Sequence, residues 1–494
     1  MSLMYSSTAC LLIALAIFYL LNVLKTRTQN KNKNFPPGPP TLPVIGNLHL
    51  IDIKRPSRSL LELAKKYGSV FSIQMGSVKM VVLSGYETVK SALVDNAEDF
   101  SERPFVPIFE DINQGWGVPF SHGENWKQMR RFTLSTLRDF GMGKRTIEDK
   151  IIEESSFLIK ELKLETGKST DLGSLFNIAT GNIITSITLG HRFEYQNPTL
   201  RRLMELVNEN MRLIGSPSIM RYNFFPLLRY FPGDHLKVKQ NIAELHTFLQ
   251  KTFVQHLKEL DRDDQRSFID AYLIKQKEEE GNPNSYYHEA NLLSTITTLF
   301  TAGTETTAST IHWAVLYMAK YPDIQKRTQE EIDRVLGSSP PQYEDRMKMP
   351  YTYAVIHEIQ RLANIVPMNL PHATVRDTVF KGYDIPKGTY VVPSLESVLY
   401  DETQFLKPNT FYPEHFLDSD GQFVKKSAFM PFSAGRRDCI GQTLAKMELF
   451  IFFTKIMQRY SFYPAPGVPD FKVEPAVGFT VRPIAQNVYF TSRI

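Results

Sequence analysis

The chain has 494 residues, 42% of them apolar and 22% charged, which excludes a disordered or low-complexity polymer and leaves material for a large core. A net charge of +5 is mild and gives no reason to expect a nucleic-acid partner. The two cysteines, Cys10 and Cys439, leave no disulfide framework, which fits a reducing compartment such as the cytosol.

Residues Ala9–Leu24 are almost wholly apolar, and counted from Met4 the segment is about 30 Å long as a helix. It predicts an uncleaved signal-anchor over residues 1–24 rather than a cleaved signal peptide, because no charged region precedes it and no clear cleavage site follows. Lys25, Arg27, Lys31 and Lys33 then place the remainder on the cytoplasmic side by the positive-inside rule. Pro36-Pro37-Gly38-Pro39-Pro40 completes a hinge over residues 25–40, a stiff elbow because each proline fixes φ and donates no backbone hydrogen bond. No Ser/Gly-rich linker, repeat or charge block follows, so residues 41–494 are expected to form one large domain.

Periodicity predicts a helix over Leu60–Tyr67 and strands over Ser69–Gln74 and Val78–Leu83, with Gly76 at the turn between them. Phe100–Gly123 is rich in Pro, Gly and Phe and has no clear period, so it is expected to be a loop with a binding role. Trp126 and Arg130 open the next helix as an i, i+4 pair, which on its own could be a solvated face. Helical periodicity dominates Ile147–Gln276, with breaks at Gly167, Gly215–Pro217 and Pro226–Gly233. The last break is apolar for a connection, through Phe224, Phe225, Leu227, Leu228, Tyr230 and Phe231; it can pack on the core or meet a lipid surface.

His288–Tyr321 is the longest helical pattern, about 50 Å at the standard rise, and Pro322 ends it. Its middle, Phe300-Thr301-Ala302-Gly303-Thr304-Glu305-Thr306-Thr307, is small and polar for a buried span, although threonines can bond back to the preceding turn. Glu358 and Arg361 form an i, i+3 pair of a kind that contributes little on a surface. Val375–Tyr383 and Gly388–Pro393 are expected to be strands.

Pro431-Phe-Ser-Ala-Gly-Arg-Arg-Asp-Cys-Ile-Gly441 precedes a run in which Leu444, Met447, Phe450 and Ile451 recur at helical spacing. Cys439 therefore lies at a helix N-terminus. Backbone N–H groups there, with Arg436 and Arg437 adjacent, favour a thiolate, and Gly435 and Gly441 let the backbone pass close to something flat. A lone cysteine can equally be a small buried hydrophobe.

Phe432, Gly435, Arg437, Cys439 and Gly441 match the signature Phe-x-x-Gly-x-Arg-x-Cys-x-Gly, and on it the chain resembles the cytochrome P450 superfamily. The resemblance covers Pro36–Ile494 and is strongest to the microsomal, vertebrate-type family 2, through runs such as Phe140–Arg145. It implies a mainly α fold with a minor β region around one haem b, with Cys439 as the proximal thiolate ligand. It further implies that Arg103, Trp126, Arg130, His372 and Arg437 surround the haem carboxylates. Ala302 and Gly303 would leave room for the ring and dioxygen, and Thr306 with Glu305 would relay protons. Glu358 and Arg361 would be structural, completed by His415 where many members carry arginine. Phe105, Phe109, Ile296, Phe300, Ala302, Val366, Val477 and Phe479 would line an apolar pocket, and the Pro226–Gly233 break would meet the lipid surface.

The implied reaction inserts one atom of O2 into a lipophilic small molecule, such as a xenobiotic, fatty acid or steroid. Electrons would come from NADPH through NADPH-cytochrome P450 reductase, with cytochrome b5 as an alternative second donor. The implied place is the endoplasmic reticulum membrane, with the catalytic domain in the cytoplasm. Lys127, Arg131, Lys144, Arg145, Arg436 and Lys446 are expected to converge as a reductase-docking face. A haem-thiolate isomerase and a non-catalytic haem sensor or carrier are the rival readings; the Glu305–Thr306 pair argues against both.

Overall fold

The computed structural model describes residues 34–468 and 471–493. The predicted anchor Ala9–Leu24 and the basic residues after it lie outside these. Among the described residues no helix is long and apolar enough to cross a membrane. The architecture is mainly helical with a small β region, as expected, and it divides into two compact units. One comprises residues up to Pro104 together with Leu370–Ser394; the other comprises Phe105–Asn369 and the chain from Leu395 onward.

The described strands are β1 (Val70–Met75), β2 (Val78–Leu83), β3 (Ser169–Thr170), β4 (His372–Ala373), β5 (Thr378–Phe380), β6 (Tyr383–Ile385), β7 (Tyr390–Pro393), β8 (Tyr460–Pro464) and β9 (Val488–Ser492). The smaller unit holds a four-stranded sheet in the order β1-β2-β7-β4 and a β5–β6 hairpin, beside helix α1 (Pro56–Tyr67). Gly76 takes φ +56° at the β1–β2 turn, where a side chain would be strained. The strand expected over Val375–Tyr383 is broken in two. Lys381 and Gly382 adopt φ +48° and +84°, positive at both central residues, and the chain reverses there so that Phe380 pairs with Tyr383.

The larger unit contains α2 (Pro107–Asn113), α3 (Gly123–Asp139), α4 (Arg145–Glu165), α5 (Gly173–Thr188), α6 (Pro198–Ile214) and α7 (Pro217–Phe224). It continues with α8 (Asp234–Lys258), α9 (Phe268–Glu278), α10 (Glu289–Lys320), α11 (Pro322–Leu336), α12 (Pro350–Ala363) and α13 (Gln442–Arg459). Pro107, Pro198, Pro217, Pro322 and Pro350 each stand in a first helical turn, where a missing N–H costs nothing. Pro107 also explains why Phe100–Gly123 is not all loop: it starts α2, which ends where Gln114 and Gly115 turn to positive φ.

Helix α10 has 32 residues, about 48 Å at the standard rise, and runs through the core of its unit. It packs on α5, α12 and α13. Gly303 fits this contact: a Cβ there would meet the Ile184 side chain of α5 at 2.3 Å. The missing side chain of Gly303 thus makes room for a neighbouring helix. The Pro226–Gly233 break forms one short 3-10 turn, Pro226–Tyr230. Leu227, Tyr230 and Phe231 are 74%, 78% and 61% exposed there, so these three do not pack on the core.

Candidate functional site

The Cys439 loop is held from several sides within the larger unit. Cys439 N–H donates to Phe432 O at 3.1 Å, and Ser433 and Gly435 take φ +62° and +78° to make that reversal. From α3, Arg130 Nη1 donates to the Asp438 carbonyl at 2.9 Å while its Nη2 pairs with the Asp438 carboxylate. The guanidinium expected at a haem carboxylate thus grips the peptide before the cysteine, because a forked donor meets a carboxylate and a carbonyl there. Arg437 stacks on the Trp126 indole, 3.8 Å from the ring centre, and donates to Ser121 O at 3.0 Å. The Trp126 Nε1–H is buried and has no hydrogen-bond partner.

Two influences oppose each other at the sulfur. Burial pushes the Cys439 thiol up, whereas the backbone N–H groups of Gly441 and Gln442 and the charge of Arg130 pull it down. The charge of the neighbouring Asp438 pushes it up as well. The Cys439 residue nonetheless has an exposed surface. The space around Gly441 is open, since a Cβ there would meet only the sulfur, at an ordinary contact distance of 3.9 Å.

On α10 the polar stretch is pinned by its neighbours. Thr180 Oγ1 of α5 donates to Thr304 O at 2.9 Å, and Thr307 Oγ1 donates to Glu448 Oε2 of α13 at 3.2 Å. Glu305 is fully buried; its carboxylate accepts from Ser309 Oγ at 2.9 Å and from Thr480 Oγ1 at 2.6 Å, and burial raises its pKa. Ala302 is exposed and Thr301, Gly303 and Thr306 are partly so, an opening in the middle of the helix. Thr306 Oγ1 donates to Ala302 O at 2.8 Å. Thr306 and Glu305 therefore bond to different partners, not to each other.

Among the pocket candidates, Phe109 meets the Phe479 ring edge-on at 5.5 Å and stacks on Phe120 at 3.9 Å. Ile296 and Phe300 are buried on α10, Val366 and Val477 are partly buried, and Phe105 is 70% exposed. The turn carrying Val477 and Phe479 is anchored by Phe479 N to Met211 O at 2.9 Å and by Trp313 Nε1 to Val481 O at 2.9 Å. Gly215 permits this approach: a Cβ there would lie 1.9 Å from the Gly478 carbonyl carbon.

Arg103 and His372 belong to the smaller unit, next to the Glu102–Ala373 bridge. Arg103 Nη1 donates to Pro371 O at 2.7 Å, and His372 Nδ1 lies 2.6 Å from Phe100 O. In the larger unit Glu358, Arg361 and His415 form a closed cluster. Arg361 donates to both Glu358 oxygens and to the carbonyls of Leu399, Pro408 and Thr410, which uses all five N–H groups. His415 Nδ1 lies 3.1 Å from Glu358 Oε2 while its Nε2 accepts from Lys407 N–H at 3.1 Å, so the ring is the neutral Nδ1–H tautomer. Histidine thus fills the expected arginine's place without a charge.

Of the expected docking residues, Lys127 pairs with Glu124 at 3.1 Å and Arg131 donates to Gln128, both at the surface. Lys446 is partly buried, its ammonium 5.6 Å from the Phe432 ring centre, and burial lowers its pKa. The Gly143 turn, beside Lys144 and Arg145, comes close enough to α13 that a Cβ at 143 would lie 3.3 Å from Thr443 Cγ2. Sequence reasoning missed Asp438, Thr480 and Glu448. Only Glu448 left a trace, a single acid in the run Met447-Glu448-Leu449-Phe450-Ile451-Phe452-Phe453.

The residues present fit a haem: a thiol with one open face, a buried indole N–H without an acceptor, and an exposed alanine midway along a buried helix. Comparison with known proteins agrees. A family model described as Cytochrome P450 matches residues 36–488. The chain is similar to cytochrome P450 2K4 of Oncorhynchus mykiss, 48% identical over 499 residues that cover 100% of this chain and 99% of the relative. It is 48% identical to cytochrome P450 2K6 of Danio rerio over 90% of this chain and 88% of the relative. Against cytochrome P450 2B4 of Oryctolagus cuniculus the identity is 46%, over 91% of this chain and 92% of the relative. The chain therefore belongs to the cytochrome P450 family, a haem-thiolate monooxygenase whose cofactor is haem b.

Proposed function

We propose that the protein inserts one atom of dioxygen into a lipophilic xenobiotic, fatty acid or steroid, using electrons passed from NADPH through a flavoprotein reductase, with cytochrome b5 as an alternative second donor. The observation that carries this reading is the Cys439 loop, whose peptide is held by Arg130 and by Phe432 while the cysteine keeps exposed surface. Haem ligated by such a thiolate supplies oxygen activation. The chain does the rest. Arg130, through Asp438, and the N–H groups of Gly441 and Gln442 set the direction of the sulfur.

Each turnover that releases water consumes two protons. Thr306 is placed to deliver them, because its hydroxyl lies at the opening of α10 and is held only by a carbonyl of its own helix. Letting go of Ala302 O frees that hydroxyl to pass a proton from water. Glu305 would be the acid of that relay, and through Thr480 it also ties α10 to the turn that carries Val477 and Phe479. Phe109, Phe120 and Phe479 form an aromatic wall suited to substrates bound by burial, at about 25 cal/mol for each Å² of apolar surface. Ile296, Phe300, Val366 and Val477 extend the same apolar lining.

The exposed Leu227, Tyr230 and Phe231 support attachment to the endoplasmic reticulum membrane, together with the apolar segment over residues 1–24, with the catalytic part in the cytoplasm. The test is Cys439→Ser. Wild type reduced under carbon monoxide is expected to show the red-shifted Soret band of a thiolate complex and to oxidise lipophilic compounds with NADPH and reductase. The variant should lose both, and a variant that kept the band would overturn the ligand assignment.

A further inference from the structure

Glu448 lies on α13, 1% exposed, with apolar residues on both sides in the chain. Its Oε2 accepts one hydrogen bond, from Thr307 at 3.2 Å, and its Oε1 is buried with no partner. A carboxylate in a protein interior needs several donors or a cation to repay its lost hydration. Neither is present here. Helix α13 packs against α4, α10, α11, α12 and β8, and no charged group on any of them acts on the titration of Glu448. Burial alone pushes its pKa up to about 8, with Thr307 drawing it slightly back.

The position gives this acid its meaning. Helix α13 begins three residues after Cys439, and Thr307 adjoins Thr306, a partly exposed hydroxyl one turn from the exposed Ala302 of α10. We propose that Glu448 is a positioning residue: as a neutral carboxylic acid it bonds α13 to α10 at Thr307 and fixes the register between the helix that follows the sulfur and the helix that carries the proton-delivering hydroxyl. The neutral acid has its own O–H and can donate to or accept from the Thr307 hydroxyl, so the link holds in either sense. The ionised form can only accept, through one long bond, and is driven toward water. The inference rests on the monooxygenase reading for its consequence, and on the α10–α13 contact for its geometry.

The experiment compares the haem-loaded wild type with Glu448→Gln, Glu448→Leu and Thr307→Val. Infrared difference spectra taken as pH rises from neutral through about 8 should show the carbonyl stretch of one protonated carboxyl vanish in wild type and not in Glu448→Gln. The ratio of product to NADPH consumed should stay near wild type in Glu448→Gln at neutral pH and lose its alkaline decline. In Glu448→Leu and Thr307→Val it should fall about fivefold, the equivalent of one hydrogen bond, with no further loss when the two are combined. The inference is overturned if no infrared band depends on Glu448, if Glu448→Gln behaves like Glu448→Leu, or if removing the bond leaves the ratio unchanged. Thr307→Val carries the same test should Glu448→Leu fail to fold. The infrared arm reads Glu448 without turnover, so a wild type that keeps the band but forms no product would count against the monooxygenase reading alone.

Discussion

Replacing Glu358 with glutamine tests whether the Glu358–Arg361–His415 cluster holds the fold. The substitution is nearly isosteric, yet no rotamer of the amide satisfies the site. Oε1 of Glu358 accepts from Arg361 Nη2 at 2.7 Å and from Tyr412 N at 2.9 Å; Oε2 accepts from Arg361 Nε at 2.8 Å and faces His415 Nδ1 at 3.1 Å. Whichever oxygen becomes NH2, two donors lose their acceptor and point at hydrogens. The Arg361 cation, fully buried, also loses its counter-charge, because the amide carries none. Removing one partner of such a pair costs about 3–5 kcal/mol, a third or more of the stability of a typical protein. Urea unfolding followed by tryptophan fluorescence should show the midpoint fall sharply, with reduced yield of haem-loaded protein. Unfolding within about 0.5 kcal/mol of wild type, the range of neutral surface changes, would refute the reasoning.

Thr306→Ala should bind haem and substrate normally but waste reducing equivalents, read as a lower ratio of product to NADPH consumed; an unchanged ratio would remove Thr306 from proton delivery. Reversing Lys127, Arg131 and Lys446 to glutamate should slow reductase-supported turnover most at low ionic strength, while peroxide-driven turnover is nearly unaffected. Equal losses in both assays would point to damaged folding instead. Glu448 should also shape stability against pH. Its carboxyl is raised from 4.5 to about 8 on folding, so its contribution is full below about 4.5 and is lost as pH rises toward 8. At pH 7 the loss is about 3 kcal/mol, and Glu448→Gln should flatten that slope in unfolding curves; identical slopes would mean that Glu448 is ionised in the fold.

The elements that the sequence made legible are those whose signal is local. The cysteine loop, the long helix with its polar middle and the Glu358–Arg361 pair each lie within a few turns of chain, and composition with spacing was enough. Helix α2 was hidden because its seven residues are too few to display a period, although Pro107 marked its start. What could not be read were side-chain partners far away in the chain. Arg130 and Asp438 are 308 residues apart, and Thr307 and Glu448 are 141 apart. An arginine does not announce which distant carboxylate or carbonyl its fork will meet, since the same fork fits many. Likewise only packing shows that the acid beside Thr306 accepts from Ser309 and Thr480.

That last bond bears on how the protein is made. Glu305 leaves the ribosome 175 residues before Thr480, roughly 10–35 s earlier at about 5–20 residues per second. During that interval α10 can pack against α5, but its acid has no terminal turn to hold, and the wall bearing Val477 and Phe479 does not yet exist. Strand β8 likewise waits for β9 to pair with it. A nascent chain stalled short of Thr480 would thus carry Cys439 and most of the described helices and still lack the partner that Glu305 holds, so α10 stays untied from that turn until Thr480 has been made.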